Sequence, residues 1–267
     1  MIRRFIIAVL NICVVLATVG VVNAQELWLK PDKYFYEPGE QAVIEIQRGE
    51  DFIGSPLALE KTDIRLLENW NVQGSQNLLT GYERNEKALF TAKLAGEGYQ
   101  FIFLRTPQAY TIEAASFNEY LKQYGHDQYL RDRERKGNLE KDVRVSLNHH
   151  VQLALRSGSA NAKGWNKPGN LPIEVIPDKN PQILRRGDRI HFKVLENGKP
   201  AFGVRVKIWN RWDNRTTIQN IYTEKDGTVS TTISNPGDWM VTVVKLSTSS
   251  GEKDYVGDAF CLLFGYR

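Results

Sequence analysis

From Glu26 onward, apolar and polar residues alternate in short segments, and this period of two constrains the fold more than any other feature of the chain. Alternation places the apolar side chains of an extended strand on one face, so each segment has to bury that face against another layer. Residues 26–30 (ELWLK), 41–47 (QAVIEIQ), 62–67 (TDIRLL), 87–93 (KALFTAK) and 98–104 (GYQFIFL) read as strands. Turn-formers separate them: Glu37-Pro38-Gly39-Glu40, Arg48-Gly49-Glu50 and Gly96-Glu97-Gly98. A second block holds 171–176 (LPIEVI), 189–195 (RIHFKVL), 203–209 (GVRVKIW), 217–223, 228–233, 238–246 (DWMVTVVKL) and 255–264. Its hairpin signals are Asn197-Gly198, Asp226-Gly227 and Asn235-Pro236-Gly237, which supply the positive-φ residues that tight turns need. Two antiparallel sandwiches are the natural packing of such blocks.

Between the blocks the period changes. Ser116 and Glu119 are spaced as a capping box. Phe117, Tyr120, Leu121 and Tyr124 then fall on one helical face, and Gly125 stops the helix. A charged segment follows (DQYLRDRERKG), whose RDRERKG run reads as a solvated helix face. A third helix is expected over about 139–156, its stripe made by Leu139, Val143, Leu147, Val151 and Leu155. The stretch SGSANAKGWNKPGN is a polar linker by composition. The expected organisation is mainly β: an N-terminal sandwich at 25–110, a helical insert at 111–158, a linker at 159–170 and a C-terminal sandwich at 171–267.

The first 24 residues are of another kind. Arg3 and Arg4 precede an apolar run from 5 to 22, and Val22-Asn23-Ala24 offers the small side chains that a signal peptidase reads. Length alone also allows a membrane helix. The cleavage site and the strand pattern beyond it favour a signal peptide at 1–24, cut before Gln25, with no membrane anchor afterwards. Cys13 lies inside the apolar run, away from any lipidation position. Without Arg3 and Arg4, 33 basic residues face 31 acidic ones, a balance that argues against nucleic acid as a partner. Cys261 is then the one cysteine left, so the fold is held by its core and not by an intrachain disulfide.

Four pieces taken together resemble the bacterial periplasmic family called domain of unknown function 4198. They are ELWLKP with the following YEPGE, FNEYLKQYG with the basic run after it, LPIEVIPDKNPQILRRGDRIHFKVLENGKPAFGVRVKI, and TEKDGTVSTTISNPGDWMVTVV. The resemblance spans essentially the whole chain after residue 24. It implies an exported pair of immunoglobulin- or prealbumin-like sandwiches and a role in nickel or cobalt uptake beside a membrane transporter. Members of that family commonly start, after cleavage, on a histidine in an Ala-His-x-x-Trp context, where α-amine and imidazole can chelate one ion. This chain has Gln25 there, which removes that chelate.

Metal-ligand candidates then come from the remaining histidines. His149 and His150 sit next to each other on the expected third helix, where their side chains diverge by about 100°. His150 falls on its apolar stripe as a packing residue, and His126, just past Gly125, is expected at the surface as a third ligand. His191 alternates with Ile190 and Phe192 in a strand and is expected to face solvent. No HxxxH or CxxC spacing occurs, nor do the nucleophile-elbow, HExxH or phosphate-loop motifs of enzymes. Cys261 in AFCLLF reads as a small core residue, and a non-enzymatic protein is expected. The other candidate is an aromatic platform for glycan or protein, made by Trp209, Trp212 and Arg215. It competes with a plain core role for Trp209 and Trp239, while Trp70 is expected on a loop-like stretch and Trp165 in the linker. Two functions follow: a periplasmic binding protein accessory to transition-metal transport, or a metal-independent envelope adapter.

Overall fold

The computed structural model describes residues 26–159, 165–166 and 169–267; the expected signal peptide, Gln25 and most of the expected linker lie outside them. The N-terminal half forms β1 (Glu26–Pro31), β2 (Phe35–Tyr36), β3 (Gln41–Glu50), β4 (Ile53–Pro56), β5 (Leu66–Asn71), β6 (Gly74–Asn77), β7 (Leu89–Lys93) and β8 (Gly98–Ile112). Two helices follow, α1 (Ala114–Gln123) and α2 (Asp127–Arg135), and then the long strand β9 (Val143–Ser157). The C-terminal half adds β10 (Ile173–Pro177), β11 (Arg189–Glu196), β12 (Lys199–Pro200), β13 (Arg205–Trp212) and β14 (Arg215–Tyr222). It closes with β15 (Thr228–Thr232), β16 (Gly237–Thr248) and β17 (Tyr255–Tyr266). The fold is mainly β with few helices, as the alternation implies.

The two halves share one sheet. Nine strands form it, in the order β14-β13-β16-β17-β9-β8-β5-β6, with β2 also on β9. The seam between the halves is a parallel pair in which Tyr255–Phe264 of β17 run beside Val145–Ala154 of β9. A four-stranded sheet of β1, β3, β4 and β7 covers one face, and one of β10, β11, β12 and β15 covers the other. Side-chain parity separates the two cores. Ile102, Leu104, Leu153, Met240, Cys261 and Leu263 face the N-terminal sheet, while Phe101, Phe103, Ala154, Val241, Leu262 and Phe264 face the C-terminal one. A strand buried on both faces needs apolar residues at every position, which is why YQFIFL, MVTVV and AFCLLF are nearly continuous apolar runs.

The expected third helix is instead strand β9. Its stripe was spaced by four residues, a multiple of two as well as roughly one helical turn, so it could not separate the periods. The positions between decide it: Val145 and Leu153 are as buried as Val143, Leu147, Val151 and Leu155, so the apolar side chains recur at every second residue, His149 apart, on one face of an extended strand. The helical insert therefore ends with α2. Its start also differs, because α1 begins at Ala114 and Ser116 lies inside its first turn. The acceptor at that end is the Asp142 carboxylate, which takes the Ala114 amide at 3.0 Å. The apolar face of α1 is as expected: Phe117, Tyr120, Leu121 and Tyr124 pack with Val143, Leu147, Val244 and Tyr255 in a third core. Gly125 ends it at φ +72°, where an added Cβ would lie 3.0 Å from the Arg205 side chain.

Candidate functional site: a polar cleft at a three-way junction

The N-terminal sheet and helix α1 cover neighbouring parts of the same face of the central sheet, and a cleft of about 30 Å³ lies where they meet. As it stands that space takes about two water-sized groups, so a larger ligand has to widen it by displacing side chains. Leu27, Ile112, Leu147, Val151 and Val244 make its walls apolar, and Glu26, Arg48, Tyr110, Tyr120, Tyr124 and His149 bring polar groups to it.

Glu26 is the first residue of β1 and is buried. Its Oε1 accepts from the Tyr124 hydroxyl and from the Lys207 ammonium, the latter at 3.0 Å. Lys207 is buried too, with its Nζ 4.5 Å from the Tyr124 ring centre and 4.4 Å from that of Trp209. The aromatic faces and the carboxylate together offset the removal of the ammonium from water. The second carboxylate oxygen, Oε2, is buried with no hydrogen-bond partner. A buried acceptor left unpaired costs about 1–3 kcal/mol, so this atom calls for a donor.

His149 lies on the cleft face of β9, and its Nε2 sits 3.3 Å from the Tyr110 hydroxyl. Burial, then the nearby His150 and the Arg48 guanidinium, push its pKa down to about 4, so the ring is neutral at physiological pH. Burial pushes the Tyr110 hydroxyl up to about 12 against the opposing pull of Arg48. Tyr120 and Tyr124 are raised further by burial and by Glu26, and the Cys261 thiol at the cleft floor is raised in the same way. Cys261 is thus the inert core residue its sequence context implies.

The candidate metal ligands do not converge. His149 and His150, neighbours on a strand and not on a helix, point to opposite faces of the central sheet. His150 is buried, and its Nε2 lies 2.9 Å from Asp258. His126 is also buried, contrary to expectation, because the turn after Gly125 folds under β16; burial, then Lys245, lower its pKa to about 4. His191 is half exposed and pairs with Asp178 at 2.9 Å. Among the described residues no three His, Cys, Asp or Glu side chains are grouped to hold a metal ion, so the donor set does not fit the nickel or cobalt that the family resemblance implies.

The aromatic platform does not form either. Trp209 is fully buried and donates its Nε1–H to Thr242 at 3.3 Å, whereas Trp212, three residues on, is half exposed on the other face of β13. Arg215 pairs with Trp212 across a hairpin whose turn, Asp213-Asn214, has positive φ at both positions. Trp70 lies within β5, edge-on to Phe103, and Trp165 packs on the C-terminal core. Sequence reasoning named His149 and missed Glu26, Arg48, Tyr110 and Lys207. The one signal available was Glu26 and Lys207, charged residues at strand positions where an apolar side chain is usual.

The fold and the cleft define a mainly β protein whose two sandwiches share a central sheet, with a polar site where three packed elements meet. The chain belongs to the family described as domain of unknown function (DUF4198), which matches residues 22–245. No curated protein matches it. Solved structures resemble it distantly. One is the tetra-tandem repeat in the extending region of a large adhesion protein, at 10% identity and TM-score 0.21, covering 90% of this chain and 49% of that one. Another is the set of fibronectin(III)-like modules of Clostridium thermocellum CbhA, at 10% identity and TM-score 0.18, covering 89% and 94%. A third is Escherichia coli alpha-2-macroglobulin activated by porcine elastase, at 12% identity and TM-score 0.21, covering 89% and 30%. The chain thus spans about half the length of the first of these and less than a third of the last.

Proposed function

We propose that this chain is an exported, periplasmic binding protein that takes a small ligand in the cleft without a metal ion and without catalysing a reaction. The observation that carries the reading is the unpaired, buried Oε2 of Glu26 on the wall of a cleft that mixes apolar side chains with a few polar groups. Folded proteins pair such atoms, and a ligand donor is what would pair this one. The apolar walls with a few polar groups aimed inward match the general chemistry of small-molecule sites. The neutral His149 ring adds a second uncharged polar contact beside Tyr110. Export follows from the basic, apolar and small-residue segments of 1–24, and the partner that receives the ligand is a membrane transporter or another envelope protein.

The test is a thermal-shift and calorimetry panel of small carboxylates, amines, polyols, nickel and cobalt on secreted protein whose N-terminus has been read by mass spectrometry. The reading expects an N-terminus at Gln25, an organic probe that raises the melting temperature of the native chain more than that of His149→Phe, and at most weak metal binding. Gln25→His should strengthen metal binding if residue 25 reaches the cleft. Tight nickel or cobalt binding by the unaltered protein, undiminished in His149→Ala/His150→Ala, would overturn the metal-free reading.

A further inference from the structure

Resting on that reading of the cleft, its polar groups carry information about the ligand's chemistry. The charges nearly cancel but not entirely. Glu26 and Lys207 neutralise one another at 3.0 Å, the tyrosines are uncharged and His149 is neutral. Arg48 remains. It sits on β3 opposite Leu27 and shares the parity of Ile44 and Ile46, so its side chain reaches inward toward the cleft. Arg48 takes part in none of the ion pairs found among the described residues. The cleft therefore holds one uncompensated guanidinium beside the Tyr110 hydroxyl.

Glu26, whose Oε2 is unpaired, lines the same cleft. An anion-seeking guanidinium and an acceptor lacking a donor thus line one narrow, apolar-walled space. We propose that the cleft binds a small monocarboxylate carrying a neighbouring hydroxyl: its carboxylate pairs with Arg48 and Tyr110, its hydroxyl donates to Glu26 Oε2, and its short alkyl group lies against Leu147 and Val151. A guanidinium presents paired N–H donors that match the two carboxylate oxygens. A phosphate dianion brings more charge than one guanidinium cancels and finds no second free cation among the described lining residues. An ammonium in place of the hydroxyl would put another positive charge beside Lys207.

Three probes of equal carbon count separate these contributions: lactate, propionate, which lacks the donor, and alanine, whose donor is charged. Calorimetry on the mature protein should rank lactate above both. Arg48→Gln should weaken lactate binding by about tenfold or more, the scale of a lost charge-assisted hydrogen bond, while Arg48→Lys retains part of it. The lysine variant and a melting curve for each protein guard against mistaking a folding defect for lost binding. Propionate equal to lactate, alanine tighter than lactate, or lactate binding indifferent to Arg48→Gln would each overturn the proposal. If lactate fails while ethanolamine or glycerol binds and loses affinity in His149→Phe, the hydroxy-acid assignment falls and the cleft reading stands. If no probe binds, both fall.

Discussion

Adjacent residues of one strand belong to different cores, and Leu262 and Leu263 in β17 make this testable. Both are buried, at 2% and 1% exposure, the first against the C-terminal sheet and the second against the N-terminal one. Truncating a buried leucine to alanine costs about 2–5 kcal/mol, the lost transfer energy plus the cavity left behind. Taking about 3 kcal/mol for each, and the roughly 2–4 °C per kcal/mol typical of chains of 150–250 residues, each variant should melt about 6–12 °C lower. If the central sheet joins the layers as described, calorimetry will show one main transition, and Leu262→Ala and Leu263→Ala will both shift it. The cores share β8, β9, β13, β16 and β17, so neither can unfold without stripping a face from the other. Two transitions, with each variant lowering only its own, would refute the shared-sheet reasoning and restore two independent sandwiches.

Lys207→Met leaves the Glu26 carboxylate buried without its cation and should cost about 3–5 kcal/mol in urea unfolding, while Glu26→Gln/Lys207→Met together should recover most of that loss. A single-variant cost well below about 1 kcal/mol would mean the pair is effectively solvated. His149 and His126 both have folded pKa values lowered to about 4 from 6.5, so the native state binds fewer protons than the unfolded one between those values. Their contribution is complete above about pH 6.5 and is lost as pH falls toward 4, and His149→Gln should flatten that part of the stability profile, read from melting temperature against pH. Leu147→Asp places a charge in the third core at a position 4% exposed and should lower the melting temperature clearly; an unchanged curve would show that β9 does not pack under α1 there.

Much of this architecture was legible in the period-two pattern. The segments around Trp28, Ile44, Phe101, Val194 and Val241 were read as strands and are strands, and the turn glycines sit where the chain reverses. The amphipathic face of α1 was equally plain, because Phe117, Tyr120, Leu121 and Tyr124 cannot share one face of a strand. What misled was β9: four-residue spacing fits both periods, and its partners are distant in sequence, Thr106 opposite His149 in β8 and Ala259 beside it in β17. Calling β9 a helix put His149 and His150 on diverging helix positions and hid their true separation onto two faces of a sheet. The cleft was illegible for the same reason. Glu26, Arg48, Tyr110 and His149 come from four different strands, and Lys207, which pairs with Glu26, from a fifth; no local spacing encodes a site assembled from strands this far apart.

The central claim is that small ligands bind where the N-terminal sheet, α1 and the central sheet meet. The chain's four histidines report on it directly, because His149 lines the cleft while His126, His150 and His191 lie elsewhere. With ¹⁵N-labelled imidazoles, titration with lactate followed by NMR should move the His149 ring resonances and leave the other three in place. Shifts concentrated at His126, His150 or His191, with His149 unmoved while binding is detected by calorimetry, would contradict the account and place the site elsewhere in the fold.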